Sequence, residues 1–244
     1  MKKVKGDAMS NVIQEFSRFA HQYDQHNEIQ AQVAKSLVSK LPAQHFTNIL
    51  DLGCGSGAVA HNLEETECTY TSLTAFDSSQ AMLDIHPYSE KITKVCGDFN
   101  RINFTEDLPH TQYDLLLSSS ALQWSTDLDG IFSILASLSQ NTYFAIFTSG
   151  TFKTLHKLAQ VKSPIYSAKS VEESIEKYYK EVRFELHSYT LAFDSVREMF
   201  RYIKKSGVSS GEKKLSYKQT KALMKMYPLD HLEFEVLFVE AKNL

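Results

Sequence analysis

One short stretch constrains the chain more than any other. Asn48-Ile-Leu-Asp-Leu52 reads as a buried strand and runs directly into Gly53-Cys54-Gly55-Ser56-Gly57. A strand, a glycine loop and a following helical stretch together make a nucleotide-type site. Glycine permits the tight turn and lets backbone approach a ligand closely. The spacing is G-x-G-x-G, not the G-x-G-x-x-G of dinucleotide folds, and a lone glycine fingerprint does not by itself separate these options. The rhythm around the loop supplies the fold class. Strands are expected at 48–52, 70–76, 92–96, 113–118 and 143–148. Helices are expected from Ser78 and over 128–138. Strands alternating with helices imply an α/β fold whose parallel sheet is covered on both faces.

Helical periodicity also marks 12–20, with Ser10 as its N-cap, and 27–40, which ends before Pro42. After about Phe152 the pattern shifts. Helices are expected at 152–161, 171–180, 195–205 and 216–226, with strands at 182–193 and 232–241. No repeat or low-complexity linker divides the 244 residues. The chain therefore reads as one domain: N-terminal helices over 1–44, a ligand-binding half over 45–150, and a C-terminal half over 151–244. Helical insertions at 152–180 and 195–226 are expected to cap the ligand edge.

Charge narrows the ligand. Asp51 lies two residues before the glycines, Asp77 ends the second strand and Asp98 follows the third. Three acids along the carboxyl edge of the sheet, where open α/β folds bind ligands, would repel a pyrophosphate. They suit a ligand carrying an ammonium, a sulfonium and a ribose. Asp77 is placed for ribose hydroxyls. Asp98 could accept from an adenine amino group while Phe99 flanks the ring. Taken singly, each acid reads more readily as a turn or helix cap than as a ligand contact. Together with the loop they point to S-adenosylmethionine as the co-substrate. Asp77→Ala is then expected to weaken its binding with little loss of fold. Cys54 reads as a small loop residue, since no activating base is marked nearby.

These residues resemble the motifs of class I S-adenosylmethionine-dependent methyltransferases. Asp51-Leu-Gly-Cys-Gly-Ser-Gly57 is similar to the first motif. Asp77-Ser78-Ser79-x-x-Met82-Leu83 and Gly97-Asp98 are similar to the second and third. Tyr113-Asp-Leu115 with Ser118-Ser119 is similar to the fourth. The resemblance implies a Rossmann-like seven-stranded sheet, mostly parallel with an antiparallel last strand. It also implies a cofactor set of Tyr23, Asp51, Gly53, Gly55, Asp77, Ser78, Met82, Asp98, Phe99 and Ser118.

A further resemblance bears on the acceptor. Phe16-x-x-Phe19-Ala20-x-x-Tyr23-Asp24-x-His26-x-x-Ile29-Gln30 is similar to the N-terminal segment of the malonyl-acyl-carrier-protein O-methyltransferases of biotin synthesis. So are Ala121-Leu-Gln123-Trp124 and the stretch Met199-Phe-Arg201-Tyr-Ile-Lys-Lys-Ser-Gly207. The chain departs from those enzymes at Ser119, where Asn is more usual, and at the Ser206-Gly207-Val208 turn. The Tyr23 segment and the Gln-Trp pair are also similar to trans-aconitate methyltransferases. The first resemblance implies that the free carboxylate of a malonyl thioester, on acyl carrier protein or coenzyme A, becomes the methyl ester that primes pimeloyl and biotin synthesis. Tyr23 would close over the co-substrate, Gln123 and Trp124 would line the acceptor pocket, and Arg201 would orient the carboxylate from one side. Methylation of a small free polycarboxylate, or a non-catalytic cofactor-binding role, stays open beside it.

Composition supplies the rest. A carboxylate is already ionised at neutral pH and needs neither base nor metal. No compact His/Asp/Glu cluster suggests a metal. Cys54, Cys68 and Cys96 are odd in number without C-x-x-C spacing, no apolar run approaches a membrane span, and no apolar segment follows Met1-Lys-Lys-Val-Lys5. A cytoplasmic protein with no membrane partner is expected. Net charge is only −3, yet 196–226 carries nine Lys/Arg against Glu198 and Glu212, a net +7 against −10 for the remaining chain. Such asymmetry suits an acidic partner, here an acyl carrier protein. The few interleaved aromatics (Phe200, Tyr202, Tyr217) argue against nucleic acid.

Overall fold

A computed structural model describes residues 27–205 and 217–243. The helix expected at 12–20, Tyr23 and the Ser206-Gly207-Val208 turn lie outside these residues. Seven strands form one sheet: β1 (His45–Leu52), β2 (Thr69–Asp77), β3 (Ile92–Cys96), β4 (Leu115–Ser119), β5 (Asn141–Phe147), β6 (Glu181–Ala192) and β7 (His231–Lys242). Their order is β3-β2-β1-β4-β5-β7-β6. β1 pairs in parallel with β2 and β4, β2 with β3, and β4 with β5. β7 runs antiparallel to both β5 and β6. The expected mostly parallel sheet with a reversed last strand is therefore present.

Strand alternation sorts the core onto two faces. On one face Ile49, Leu73, Leu115 and Leu117 pack with Ile29, Val33 and Leu37 of α1 (Glu28–Val38), and with Val59 and Leu63 of α2 (Ala58–Leu63). On the other, Leu50, Phe76, Leu116 and Phe144 pack with Phe132 and Leu135 of α4 (Leu128–Leu138). Between them in sequence stands α3 (Gln80–Ile85), capped by the Ser79 hydroxyl, which accepts from Met82 N at 3.4 Å. Leu115, Leu116 and Leu117 are all fully buried, as a central parallel strand covered on both sides requires.

The C-terminal half adds α5 (Lys153–Ala159), α6 (Ala168–Ile175), α7 (Val196–Lys205) and α8 (Tyr217–Met226). Val171 and Ile175 of α6 join the second core beside α4, so this part of 152–180 contributes a layer helix to the sheet. Its apolar residues at 171 and 175 need a buried surface, and the α4 face supplies one. α7 instead packs with the first core through Met199, Tyr202 and Ile203, as does Tyr227 just after α8. Boundaries also move, two strand starts among them. β1 starts three residues earlier than expected because His45 and Phe46 pair with Thr69 and Tyr70. Tyr113 makes only an isolated bridge to Ser139, and β4 begins at Leu115.

The chain steps from β1 to β2 and β3 on one side, and to β4 and β5 on the other. Their carboxyl ends therefore part between β1 and β4, the place where an open α/β sheet forms its ligand crevice.

Candidate active site

The glycine loop folds back over the end of β2. Gly53 N and Cys54 N both donate to Phe76 O, at 2.7 and 3.1 Å. Gly53 has φ +76°, and a Cβ there would lie 2.2 Å from the Ala121 Cβ. Only glycine allows that close approach. Gly55, at φ +53°, would meet nothing within 4 Å and lines the cleft.

Asp77 fixes the loop from below. Its Oδ2 accepts from Gly55 N at 2.9 Å and its Oδ1 from Ser79 N at 2.8 Å. Burial pushes this carboxyl up, and the amides of Ser79, Gly55 and Ser78 oppose the shift. The expectation that Asp77→Ala leaves the fold nearly intact changes accordingly, because two amides would lose their acceptor. Asp51 is fully buried, and neither carboxylate oxygen has a hydrogen-bond partner among the described residues. Burial first, then the neighbouring Asp77 charge, push it up to about 8. Burial and the same two acids raise the Cys54 thiol well above its ordinary range, which makes it a poor nucleophile.

The crevice opens to solvent. Of the residues singled out from sequence, Gly53, Gly55, Asp77, Ser78, Met82, Phe99 and Trp124 line it. Others stand elsewhere. Asp51 is beneath the loop. The Asp98 carboxylate caps its own turn, accepting from Asn100 N at 2.9 Å and Asn100 Nδ2 at 3.1 Å. Ser118 is buried in the sheet and donates to Leu52 O at 2.7 Å. Gln123 is also buried behind the wall, its Nε2 donating to Ser120 O at 2.6 Å. Arg201 is exposed on α7. Tyr23 falls outside the described residues.

Sequence reasoning assigned no role to Gln30, Ser119 or Ser120, yet all three line the cleft. Gln30 Oε1 and both serine Oγ atoms are buried without a hydrogen-bond partner among the described residues. Buried polar groups are ordinarily paired, so unpaired ones lining a cleft are candidates for ligand contact. The available signal was three consecutive serines ending a central strand.

Residues 50–141 match the family described as a methyltransferase domain. The chain carries a methyltransferase domain. Across 242 residues this methyltransferase is 26% identical to the malonyl-[acyl-carrier protein] O-methyltransferase of Bacillus anthracis, over 88% of this chain and 87% of that one. It is 34% identical over 113 residues to the enzyme of the same name from Enterobacter lignolyticus, over 46% and 43% of the two chains. A solved methyltransferase, in complex with the Haloferax volcanii Trm112 methyltransferase activator, shares its fold with a TM-score of 0.61 at 15% identity, over 94% of this chain and 98% of that one. Domain and fold are those of the S-adenosylmethionine-dependent methyltransferases.

The cleft of this methyltransferase fits that co-substrate. Asp77 could offer acceptor oxygens to a ribose, Met82 and Phe99 apolar surface to a base, and the orphaned Gln30 Oε1 an acceptor to an ammonium. Among the described residues no group of three or more His, Cys, Asp or Glu is placed to hold a metal ion. No helix among them is long and apolar enough to cross a membrane.

Proposed function

We propose that the chain methylates the free carboxylate of a malonyl thioester, carried by acyl carrier protein, with S-adenosylmethionine as methyl donor. The observation that carries this reading is the extent of the similarity. The family match ends at residue 141, but the likeness to the Bacillus anthracis enzyme spans 88% of this chain. It thus includes the C-terminal half, which the shared cofactor domain does not account for.

When bound, S-adenosylmethionine supplies a methyl group activated on a positive sulfur. The residues here bind and orient. Asp77 holds the loop amides and faces the ribose, Met82 and Phe99 hold the base, and Tyr23 closes over the co-substrate. Asp51, protonated beneath the loop at neutral pH in the unliganded chain, would ionise more readily with a cation bound above it. Trp124 forms the apolar wall of the acceptor end. A carboxylate oxygen of the acceptor takes the methyl carbon as the sulfur–carbon pair returns to sulfur, and no proton need move. Positioning can supply as much as ~7–11 kcal/mol in such a displacement.

The acidic carrier docks on the basic segment 196–226. Arg197 and Arg201 of α7 and Lys221 and Lys225 of α8 are exposed, while Met199, Tyr202 and Leu223 are buried. α7 lies near the start of α1, where burial and then the Glu28 charge push the Tyr202 phenol up.

Intact mass of malonyl-loaded acyl carrier protein, after incubation with the chain and S-adenosylmethionine, tests the reading. A gain of one methyl group, lost in Asp77→Ala, is expected. No gain, with co-substrate binding confirmed in parallel, refutes it.

A further inference from the structure

We propose that the hydroxyls of Ser119 and Ser120 hold the acceptor's carboxylate as neutral donors, with Gln123 as the positioning residue behind them. This rests on the carboxyl-methylation reading above. Both serines line the cleft, and both Oγ atoms are buried with no hydrogen-bond partner among the described residues. An O–H sealed from water with nothing to donate to is costly, and it is retained where a ligand supplies the acceptor.

Ser120 is held in place with unusual insistence. It has φ +62°, a left-handed conformation that side-chain-bearing residues avoid. Strained residues of this kind persist only where their surroundings over-determine them. Here Ser120 N donates to Ala145 O at 2.8 Å, and Ser120 O accepts from Gln123 Nε2 at 2.6 Å. The next residue, Ala121, is lodged against Gly53. Three separate elements thus fix one serine at the cleft wall. Gln123 never reaches the cleft itself and acts through Ser120.

Charge divides the cleft into two ends. Asp77 is the single charged residue among the described lining. It stands at the end of β2, across β1 from β4 and its serines. An anionic acceptor is repelled from the Asp77 end and favoured at the Ser119–Ser120 end. There the described wall presents hydroxyls and no Lys, Arg or His. That suits a nucleophile. A guanidinium clamped on the carboxylate would draw down the charge that attacks the methyl group. A hydroxyl can hold one oxygen and leave the other reactive. Arg201, exposed on α7, is left to guide the acceptor towards the cleft and not to grip it within.

The test is steady-state methylation of malonyl-acyl carrier protein by the full chain, with S-adenosylhomocysteine affinity measured by calorimetry. Ser119→Ala with Ser120→Ala is expected to raise the acceptor KM about tenfold or more, the scale of a lost hydrogen bond to a charged group. kcat should change less, and S-adenosylhomocysteine affinity should stay at the wild-type level. Ser120→Gly accepts the left-handed backbone while removing the hydroxyl, so it separates the donor from the strain and should raise KM as Ser120→Ala does. Gln123→Leu should raise it too, and Ser120→Asn, which tolerates the backbone and offers an amide donor, should recover part of the loss. Unchanged acceptor KM in the serine variants overturns the proposal. So does weakened S-adenosylhomocysteine binding at unchanged acceptor KM, which would give the hydroxyls to the co-substrate. A wild-type chain that binds S-adenosylhomocysteine but methylates no malonyl thioester overturns the functional reading, and this proposal with it.

Discussion

Gly53 and Gly55 are two residues apart, share a left-handed backbone and line the same cleft, yet alanine should injure them in different ways. At both, the left-handed conformation costs a side-chain-bearing residue about 1–2 kcal/mol. At Gly53 the new Cβ would also lie 2.2 Å from the Ala121 Cβ, so one of the two segments must shift by more than an ångström. Forcing a methyl into packed surroundings costs a further ~1–3 kcal/mol. Gly53→Ala should therefore lose about 2–5 kcal/mol in urea unfolding. Gly55→Ala, whose Cβ meets nothing within 4 Å, should lose only the backbone share. Ligand binding should rank the two differently. The Gly55 methyl enters open cleft space, so S-adenosylmethionine affinity should fall by about tenfold or more, ~1.4 kcal/mol, beyond what the smaller stability loss explains. The close approach can be tested directly. Ala121→Gly removes the opposing methyl and should restore much of what Gly53→Ala loses, with a coupling of about 1–3 kcal/mol. Equal destabilisation at the two glycines, or simple additivity with Ala121→Gly, would refute the claim that Gly53 is required by its neighbour.

Other outcomes follow from the acids and the basic face. Asp51 retains in the folded chain, up to about pH 8, a proton that an unfolded aspartate releases near pH 4. Apo stability should thus fall as pH rises through that window, and Asp51→Asn should flatten the fall; thermal melts at pH 5 and pH 8 that move in parallel for both proteins would count against it. Asp77→Ala strips the acceptor from Gly55 N and Ser79 N and should cost about 1–3 kcal/mol in denaturant unfolding as well as co-substrate affinity; a loss confined to binding would show that the loop holds itself. Neutralising Arg197, Lys221 and Lys225 together should lower kcat/KM for malonyl-acyl carrier protein by roughly 3–10-fold and blunt its salt dependence, with malonyl-coenzyme A little affected; equal losses for both acceptors would move carrier docking elsewhere.

The elements that could be read from sequence were those whose local signals agree with their tertiary setting. β3 occupies Ile92–Cys96 and α4 occupies Leu128–Leu138, both as expected. α4 combines helical periodicity with an Asp127 side chain that accepts from Gly130 N. From sequence β1 reads short because His45 and Thr47 look polar, while its extension to His45 depends on pairing with Thr69, a contact 24 residues away. α6 was displaced for a similar reason: its start is set by the Ser167 cap and its burial by α4.

At the site the limit is finer. Three serines, Ser118 and Ser119 of β4 and Ser120 just past it, stand together, and sequence gives no basis for choosing among them. Strand alternation turns Ser118 into the sheet, where it bonds Leu52 O. Alternation turns Ser119 the other way, and Ser120 lines the crevice where the backbone kinks, a kink held by Ala145 and Gln123. Arg201 presents the reverse case. Met199, Tyr202 and Ile203 are the apolar positions of α7, and burying them turns Arg201 outward. Periodicity alone placed it on the solvated face, and only family resemblance drew it towards the acceptor. The two observations agree if a cation serves the acceptor's approach and neutral hydroxyls serve its attack. Attraction over distance needs full charge, whereas a nucleophile at the methyl group needs to keep its own.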